Sequence, residues 1–244
     1  MRLKKPVDER LGVQEAHDVT YFDAVGDIHG CYYELLELLD NLGYEVDTNM
    51  MVSHPEGRTL VLLGDITDRG YYNSLCLQFA VKNWRRGTLL WVQGNHDSKL
   101  FRWMRGNPVS IADGLQKTVT ELEEAWPFDM PKEELGAYLL DNVPTKIELD
   151  GGAVVAVHAF NGKPKLRMYG LRGGPDNSRI AWWENYKGPE FVVFGHYWLD
   201  DPTVYSHHCC VDTSCVCGGQ LTAMRWPERE VVQVEAYEVY YESK

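Results

Sequence analysis

Apolar runs and polar punctuation alternate along the chain with two different periods. Tyr21–Val25 is a short apolar run that stops at Gly26-Asp27, and Leu35, Leu38, Leu39 and Leu42 then recur at helical spacing. That predicts a strand followed by a helix from about Tyr32 to Leu42. "RTLVLL" (58–63) predicts a buried strand, 71–86 a helix ending before Gly87, and "TLLWVQ" (88–93) another strand. Helical patterns follow over 97–105, 112–125 and 131–141, punctuated by Pro127 and Pro131. After Pro144 the pattern turns to β, in the short runs "TKIEL", "AVVAVH", "FVVFGH", "HHCCVD", "QLTAMRW" and "EVVQVEAYEV". A βαβ alternation followed by strands predicts an α/β fold of two packed sheets with helices outside. Residues 1–18 are polar and read as an arm, and 19–244 read as a single domain.

Composition narrows the function classes. With 244 residues, 44% hydrophobic and 25% charged, a packed core is expected. Lys and Arg total 24 against 36 Asp and Glu, a net charge of −12. That argues against an extended nucleic-acid surface, which needs a basic face. It does not exclude a nucleotide or phosphoester, because bound divalent cations invert the local field. No run approaches the roughly 18 apolar residues of a membrane span. "MRLKKPVDERLGVQ" lacks a signal peptide's apolar segment, and six cysteines in a chain this long do not form a secreted framework. A cytoplasmic, reducing compartment is the expectation.

The chemistry-bearing residues stand at the ends of apolar runs. "VGDIHG" offers Asp27 and His29, "LLGDITDRG" Asp65, Asp68 and Arg69, and "VQGNHD" Asn95, His96 and Asp97. "VAVHAF" offers His158 and "VVFGHYW" His196. Five strand-like runs therefore deliver Asp, Asn or His at their carboxyl ends, the edge where open α/β sheets bind ligands. Carboxylates with imidazoles suit divalent first-row metals, with Mn²⁺ first and Fe, Zn or Ni as options. Asp27, His29, Asp65, Asn95, His158 and His196 are enough donors for two ions, since a carboxylate can bridge. Arg69 suits a bidentate grip on phosphate, and His96 is placed to protonate a leaving oxygen. A D-x-H pair leaving a strand is expected to put both side chains on one side, and Gly26, Gly64 and Gly94 to permit sharp turns.

The ordered set "GDIHG…GDITDRG…GNHD…H…GH" resembles the calcineurin-like metallophosphoesterases, on the branch of the protein serine/threonine phosphatases and symmetrical diadenosine tetraphosphatases. The likeness covers about residues 22–235. It implies a four-layer α/β/β/α sandwich. It also implies one metal on Asp27, His29 and Asp65, and a second on the bridging Asp65 with Asn95, His158 and His196. His96 would be the general acid, oriented by Asp68, and Arg69 and Asn95 would bind phosphate. The implied reaction is hydrolysis of a phosphoanhydride or phosphomonoester by a hydroxide generated at the metals. "HPEGRTLVLLGDITDRG", "GNHDSKLFRWMRGN" and "VDTSCVCGGQLTAMRWPERE" are similar to the phosphatase module of bacterial polynucleotide kinase-phosphatases. That likeness places Asp212 near the site and offers Arg179 as a second phosphate ligand. No kinase phosphate loop is present in the sequence.

Phe160 and Tyr197 depart from the family pattern and put two aromatics at the expected metal edge, where they could stack a base. The expected substrate is a small phosphorylated molecule, a dinucleoside tetraphosphate first. A phosphoprotein and an RNA or nucleotide end are the alternatives, and a phosphate-sensing protein without turnover is the non-enzyme alternative. Plainer readings stand beside these: Asp27 and Asp65 as helix caps, His158 as a satisfied core histidine, Arg69 paired with Asp97, and Arg179 as a packing residue. The crowded Cys209, Cys210, Cys215 and Cys217 lack zinc-site spacing, and strand alternation sends neighbours to opposite faces.

Overall fold

A computed structural model of the chain describes residues 16, 18–159, 183, 186–202 and 204–242. The first sheet is built on three parallel strands: β1 (Phe22–Val25), β4 (Thr59–Leu62) and β5 (Leu89–Trp91). On the other side of β1 runs the antiparallel β11 (Gln220–Trp226), pairing Phe22 with Trp226 and Val25 with Ala223. The short β10 (Asp212–Thr213) and β12 (Val231–Glu235) also pair with β11. The second sheet runs β6 (Lys146–Leu149), β7 (Val154–Val157), β8 (Phe191–Phe194), β9 (His208–Cys210). Strands β7, β8 and β9 are parallel to one another. A two-stranded hairpin of β2 (Glu45–Val46) and β3 (Val52–Ser53), which the pattern did not predict, stands apart.

The alternation of side chains explains the layers. Phe22, Ala24, Val61, Leu63, Leu90 and Met224 of the first sheet meet Ile147, Leu149, Val154, Ala156 and Val193 of the second in one buried cluster. The intervening residues Val25, Leu60, Leu62 and Trp91 face the other way and pack under helices. Those helices are α1 (Tyr32–Leu42), α2 (Asn73–Arg86), α3 (Asn95–Met104), α4 (Leu115–Glu124) and α5 (Lys132–Asn142). The α1 stripe of Leu35, Leu38, Leu39 and Leu42 is fully buried, and each such side chain contributes about 2 kcal/mol. Gly87 closes α2 in the left-handed conformation, φ 72°. Val157, Val192, Phe194 and Cys210 form a third cluster on the outer face of the second sheet, with Trp183 and Tyr186 against it. Helix, sheet and sheet layers are thus present among the described residues.

The strand and helix positions match the sequence pattern to within a few residues. Helix α3 begins at Asn95 rather than 97, so Asn95 and His96 lie in its first turn. The Asp97 carboxylate accepts from the Gly94 backbone N–H at 2.9 Å, which starts the helix early. The cysteine crowd disperses by alternation. Cys209 enters the inter-sheet core, Cys210 the outer cluster, and Cys215 the helix-side cluster.

Candidate functional site

Five parallel strand ends deliver the polar residues. β1 leads to Asp27 and His29, β4 to Asp65, β5 to Asn95 and His96, β7 to His158, and β8 to His196. Both sheets therefore contribute from their carboxyl edges, and all of these residues except Asn95 are buried. The ligand atoms of His29, Asp65 and His96 lie within 4.8 Å of one another, as do those of Asp65, His158 and His196. Asp65 belongs to both groups. Asp27 joins at their margin, with Oδ2 4.0 Å from His29 Nε2 and Oδ1 3.9 Å from His158 Nδ1.

The backbone is bent to achieve this. His29, Asp65, Asp68, Arg69 and His196 all have positive φ, between 46° and 78°. Non-glycine residues in that region are strained by about 1 kcal/mol or more, and such strain collects at functional sites. Asp27 and His29 do face the same centre, as expected, but the positive-φ backbone of His29, and not strand alternation, brings them together. The glycines also act differently from expectation. Only Gly64 of the three has positive φ, at 93°. Gly26 and Gly94 are required by close approach: an added Cβ would sit 2.2 Å from Val211 O and 2.2 Å from Asp65 Oδ1, respectively.

Three imidazoles are held from behind. His29 Nδ1 lies 2.7 Å from Thr67 O, His158 Nδ1 2.8 Å from Leu63 O, and His96 Nδ1 2.6 Å from Asp68 Oδ2. Each acceptor fixes the proton on Nδ1 and leaves Nε2 facing the centre. For His158 this creates a conflict. Its Nε2 lies 3.0 Å from Asn95 Oδ1, 3.3 Å from Asp65 Oδ2 and 3.2 Å from His196 Nδ1. Two oxygen acceptors facing a nitrogen lone pair are reconciled only by a cation between them, a proton or a metal ion. The donor set thus fits divalent cations. Without them a proton fills the gap: burial lowers the His158 pKa, but the Asp65 and Asp27 carboxylates outweigh it and hold it at about 10.

The remaining electrostatics agree. Burial, then the Arg69 and His96 charges, holds His29 well below its ordinary pKa, as a neutral ligand requires. Burial raises Asp65, but His158, His96 and His29 outweigh it and leave Asp65 well below the usual carboxylate range. Burial and the charge of Asp212 push Asp27 well above that range. Burial likewise pushes Asp212 up to about 6, and its Oδ2 has no hydrogen-bond donor among the described residues. A pocket with several carboxylates that resist ionising together calls for positive charge.

Arg69 spans the site. Its Nη1 lies 2.7 Å from His29 Nε2, its Nη2 3.1 Å from His96 Nε2, and its buried Nε has no acceptor among the described residues. The alternative pairing with Asp97 is not what forms. Asp97 instead accepts from the backbone N–H groups of Asp65, Ile66 and Gly94 and from the Trp91 indole. It ties the β4 and β5 strand ends together beneath the ligands. Sequence reading gave it no role of its own, although its place directly after the Asn-His pair was the available signal. Tyr197, expected as a substrate-facing aromatic, is 3% exposed and packs edge-on against Trp183 at 4.7 Å. It belongs to the outer cluster of the second sheet. Phe160 and Arg179 lie outside the described residues.

A family model for the calcineurin-like phosphoesterases matches residues 21–212. The chain belongs to that family. Its members work with a dinuclear divalent metal centre and hydrolyse phosphoesters. Among curated relatives, bis(5'-nucleosyl)-tetraphosphatase PrpE [asymmetrical] of Bacillus velezensis is 36% identical over 239 residues, spanning 91% of this chain and 96% of that protein. The protein of the same name from Bacillus subtilis is also 36% identical, spanning 91% and 98%. Among solved structures, a putative diadenosine tetraphosphatase superposes with a TM-score of 0.67 at 22% identity, covering 90% of this chain and 95% of that one. A protein serine/threonine phosphatase from Saccharomyces cerevisiae gives 0.54 at 13% identity, over 92% and 82%. These two likenesses speak for the fold. No described helix of this metallophosphoesterase is long and apolar enough to cross a membrane.

Proposed function

We propose that this metallophosphoesterase hydrolyses dinucleoside tetraphosphates, and does so asymmetrically, releasing a nucleoside triphosphate and a nucleoside monophosphate. The observation that carries the reading is the extent of its likeness to the curated tetraphosphatases, 36% identity over nearly the whole of both chains. In this reading Asp27, His29 and Asp65 hold one divalent cation, and Asp65, Asn95, His158 and His196 hold the other. Oxygen and imidazole donors suit divalent first-row metals, of which Mn²⁺ is the first candidate and Fe, Zn or Ni the others. When bound, the pair neutralises phosphate charge and acidifies a water.

The chain's own groups do the rest. Arg69 lies along the cluster with its terminal nitrogens against His29 and His96, its planar fork suits phosphate oxygens taken in pairs, and the Asn95 amide adds a further donor. His96, fixed through Nδ1 by Asp68, presents Nε2 as the proton carrier for the leaving oxygen. Asp97 holds the loops that carry Asp65 and Asn95. The six free cysteines suit a reducing compartment, which supports a cytoplasmic setting for this reading.

The test is turnover by chelator-stripped protein with Mn²⁺ restored, on diadenosine tetraphosphate and on a phosphopeptide. Equal amounts of triphosphate and monophosphate from the nucleotide, with a higher kcat/KM than for the peptide, support the reading. Two diphosphates would overturn the asymmetry, and comparable phosphopeptide turnover would overturn the substrate class.

A further inference from the structure

We propose that Trp198, with Tyr241, forms a nucleobase-stacking subsite at the outer end of Arg69. This rests on the nucleotide reading above and adds to it the place where a base is held. Tyr197 cannot fill that role, because the chain turns it inward after His196; the next residue, Trp198, is turned outward and is 38% exposed. The Arg69 guanidinium carbon lies 5.3 Å from the Trp198 ring centre and 5.4 Å from that of Tyr241. The same guanidinium touches His29 and His96 with its terminal nitrogens. Arg69 thus links the ligand cluster on its inner side to two aromatic rings on its outer side.

The surroundings fit a nucleotide. Lys117 Nζ donates to Arg69 O at 2.6 Å and lies 4.3 Å from the Tyr71 ring centre. Tyr71 is 47% exposed. In a chain with net charge −12, Arg69 and Lys117 bring two cations together with accessible aromatic faces. A polyphosphate lying on the cluster extends past Arg69, and its nucleoside reaches a flat, partly desolvated ring. Stacking on such a ring tolerates any base, because every base presents a π-face. The subsite therefore selects nucleotides from other phosphate compounds without choosing among bases.

The test is calorimetric binding to the Mn²⁺-loaded protein at fixed free Mn²⁺. The probes are a methylene-bridged, non-hydrolysable diadenosine tetraphosphate and the same bridged tetraphosphate without its nucleosides. The ratio of the two Kd values reads the contribution of the nucleosides together with the added terminal charge, and its change between wild type and variant isolates the part due to Trp198. In Trp198→Ala that ratio is expected to shrink about tenfold, and in Trp198→Phe to recover most of the wild-type value. A ratio unchanged in Trp198→Ala overturns the subsite and leaves Trp198 as a positioning residue for Arg69. Binding is read apart from turnover, so the two readings fail separately. A ratio that shrinks in Trp198→Ala, with no hydrolysis by the wild type, defeats only the proposed reaction, and hydrolysis with a ratio unchanged in Trp198→Ala defeats only the subsite.

Discussion

The Asp68 carboxylate accepts a 2.6 Å hydrogen bond from His96 Nδ1. Its other oxygen accepts from the Thr118 hydroxyl at 2.6 Å, and Asp68 is fully buried. The ring is therefore anchored through a side chain that is itself anchored. Replacing Asp68 with Asn keeps the shape and removes the charge, so His96 loses its fixed tautomer. We expect kcat on diadenosine tetraphosphate to fall by about 10²-fold. The fall should be larger on an alkyl phosphomonoester, whose alkoxide needs a proton to leave, than on p-nitrophenyl phosphate, whose phenolate departs without one. Equal losses on these two monoesters would show that Asp68 does not serve proton transfer.

Asp97 lies beneath the ligands, and its removal tests the scaffold rather than the chemistry. Asp97→Ala strands three backbone N–H groups and the Trp91 indole, which together lose four hydrogen bonds. A loss of about 3 kcal/mol in stability is expected, since each buried donor left without an acceptor costs about 1–3 kcal/mol and relaxation recovers part. Metal affinity should fall by about 10–100-fold, the range seen when outer partners of ligands are removed. Asp97→Asn, which keeps one acceptor, should fall between. Chemical denaturation and a metal titration of both variants check this.

Much of this arrangement was legible in the sequence, and the residues show why. Apolar runs ending in Asp27, Asp65, Asn95, His158 and His196 could be read directly, because strand burial fixes the runs and parallel strands share one carboxyl edge. The αL conformations of His29, Asp65, Asp68, Arg69 and His196 were not legible, since no residue type there prefers positive φ strongly enough to announce it. Nor was the orientation of Tyr197 and Trp198. Alternation says that neighbours diverge, but which one faces inward depends on Trp183 and Phe194 packing against Tyr197. The hub role of Asp97 depends on contacts from Asp65 and Ile66, more than thirty residues away in sequence, which no local pattern contains.

Metal binding should be linked to pH in a stated direction. Burial pushes Asp97 and Asp212 up to about 6 in the metal-free fold, and Asp27 is raised as well. A carboxyl whose folded pKa lies above its unfolded value of about 3.9 holds its proton longer when folded. The metal-free protein thus loses stability as pH rises from about 4 through 6, because the folded state then ionises against its neighbours. Divalent cations favour the ionised acids and displace the proton that keeps His158 charged up to about 10. The rise in Tm on adding Mn²⁺ to chelated protein should therefore be larger at pH 7 than at pH 5. Calorimetry at pH 7 should also register proton release, seen as a dependence on buffer ionisation enthalpy. A stabilisation independent of pH, with no protons released, would remove His158 from the ligand set.

Arg69→Lys separates charge from geometry. The guanidinium reaches two imidazoles at once, 2.7 Å and 3.1 Å from their Nε2 atoms, and lies against Trp198 and Tyr241. An ammonium keeps the charge but has neither the planar fork nor the stacking face. If Arg69 clamps phosphate, Lys should lower kcat/KM by about 10–100-fold and weaken inhibition by inorganic phosphate by a similar factor, because one donor replaces two. If Arg69 only steadies the rings of His29 and His96, phosphate inhibition should stay at the wild-type level while kcat falls. The Ki for phosphate, measured at saturating Mn²⁺ in both proteins, decides between a clamp that touches the substrate and a brace that acts through its neighbours.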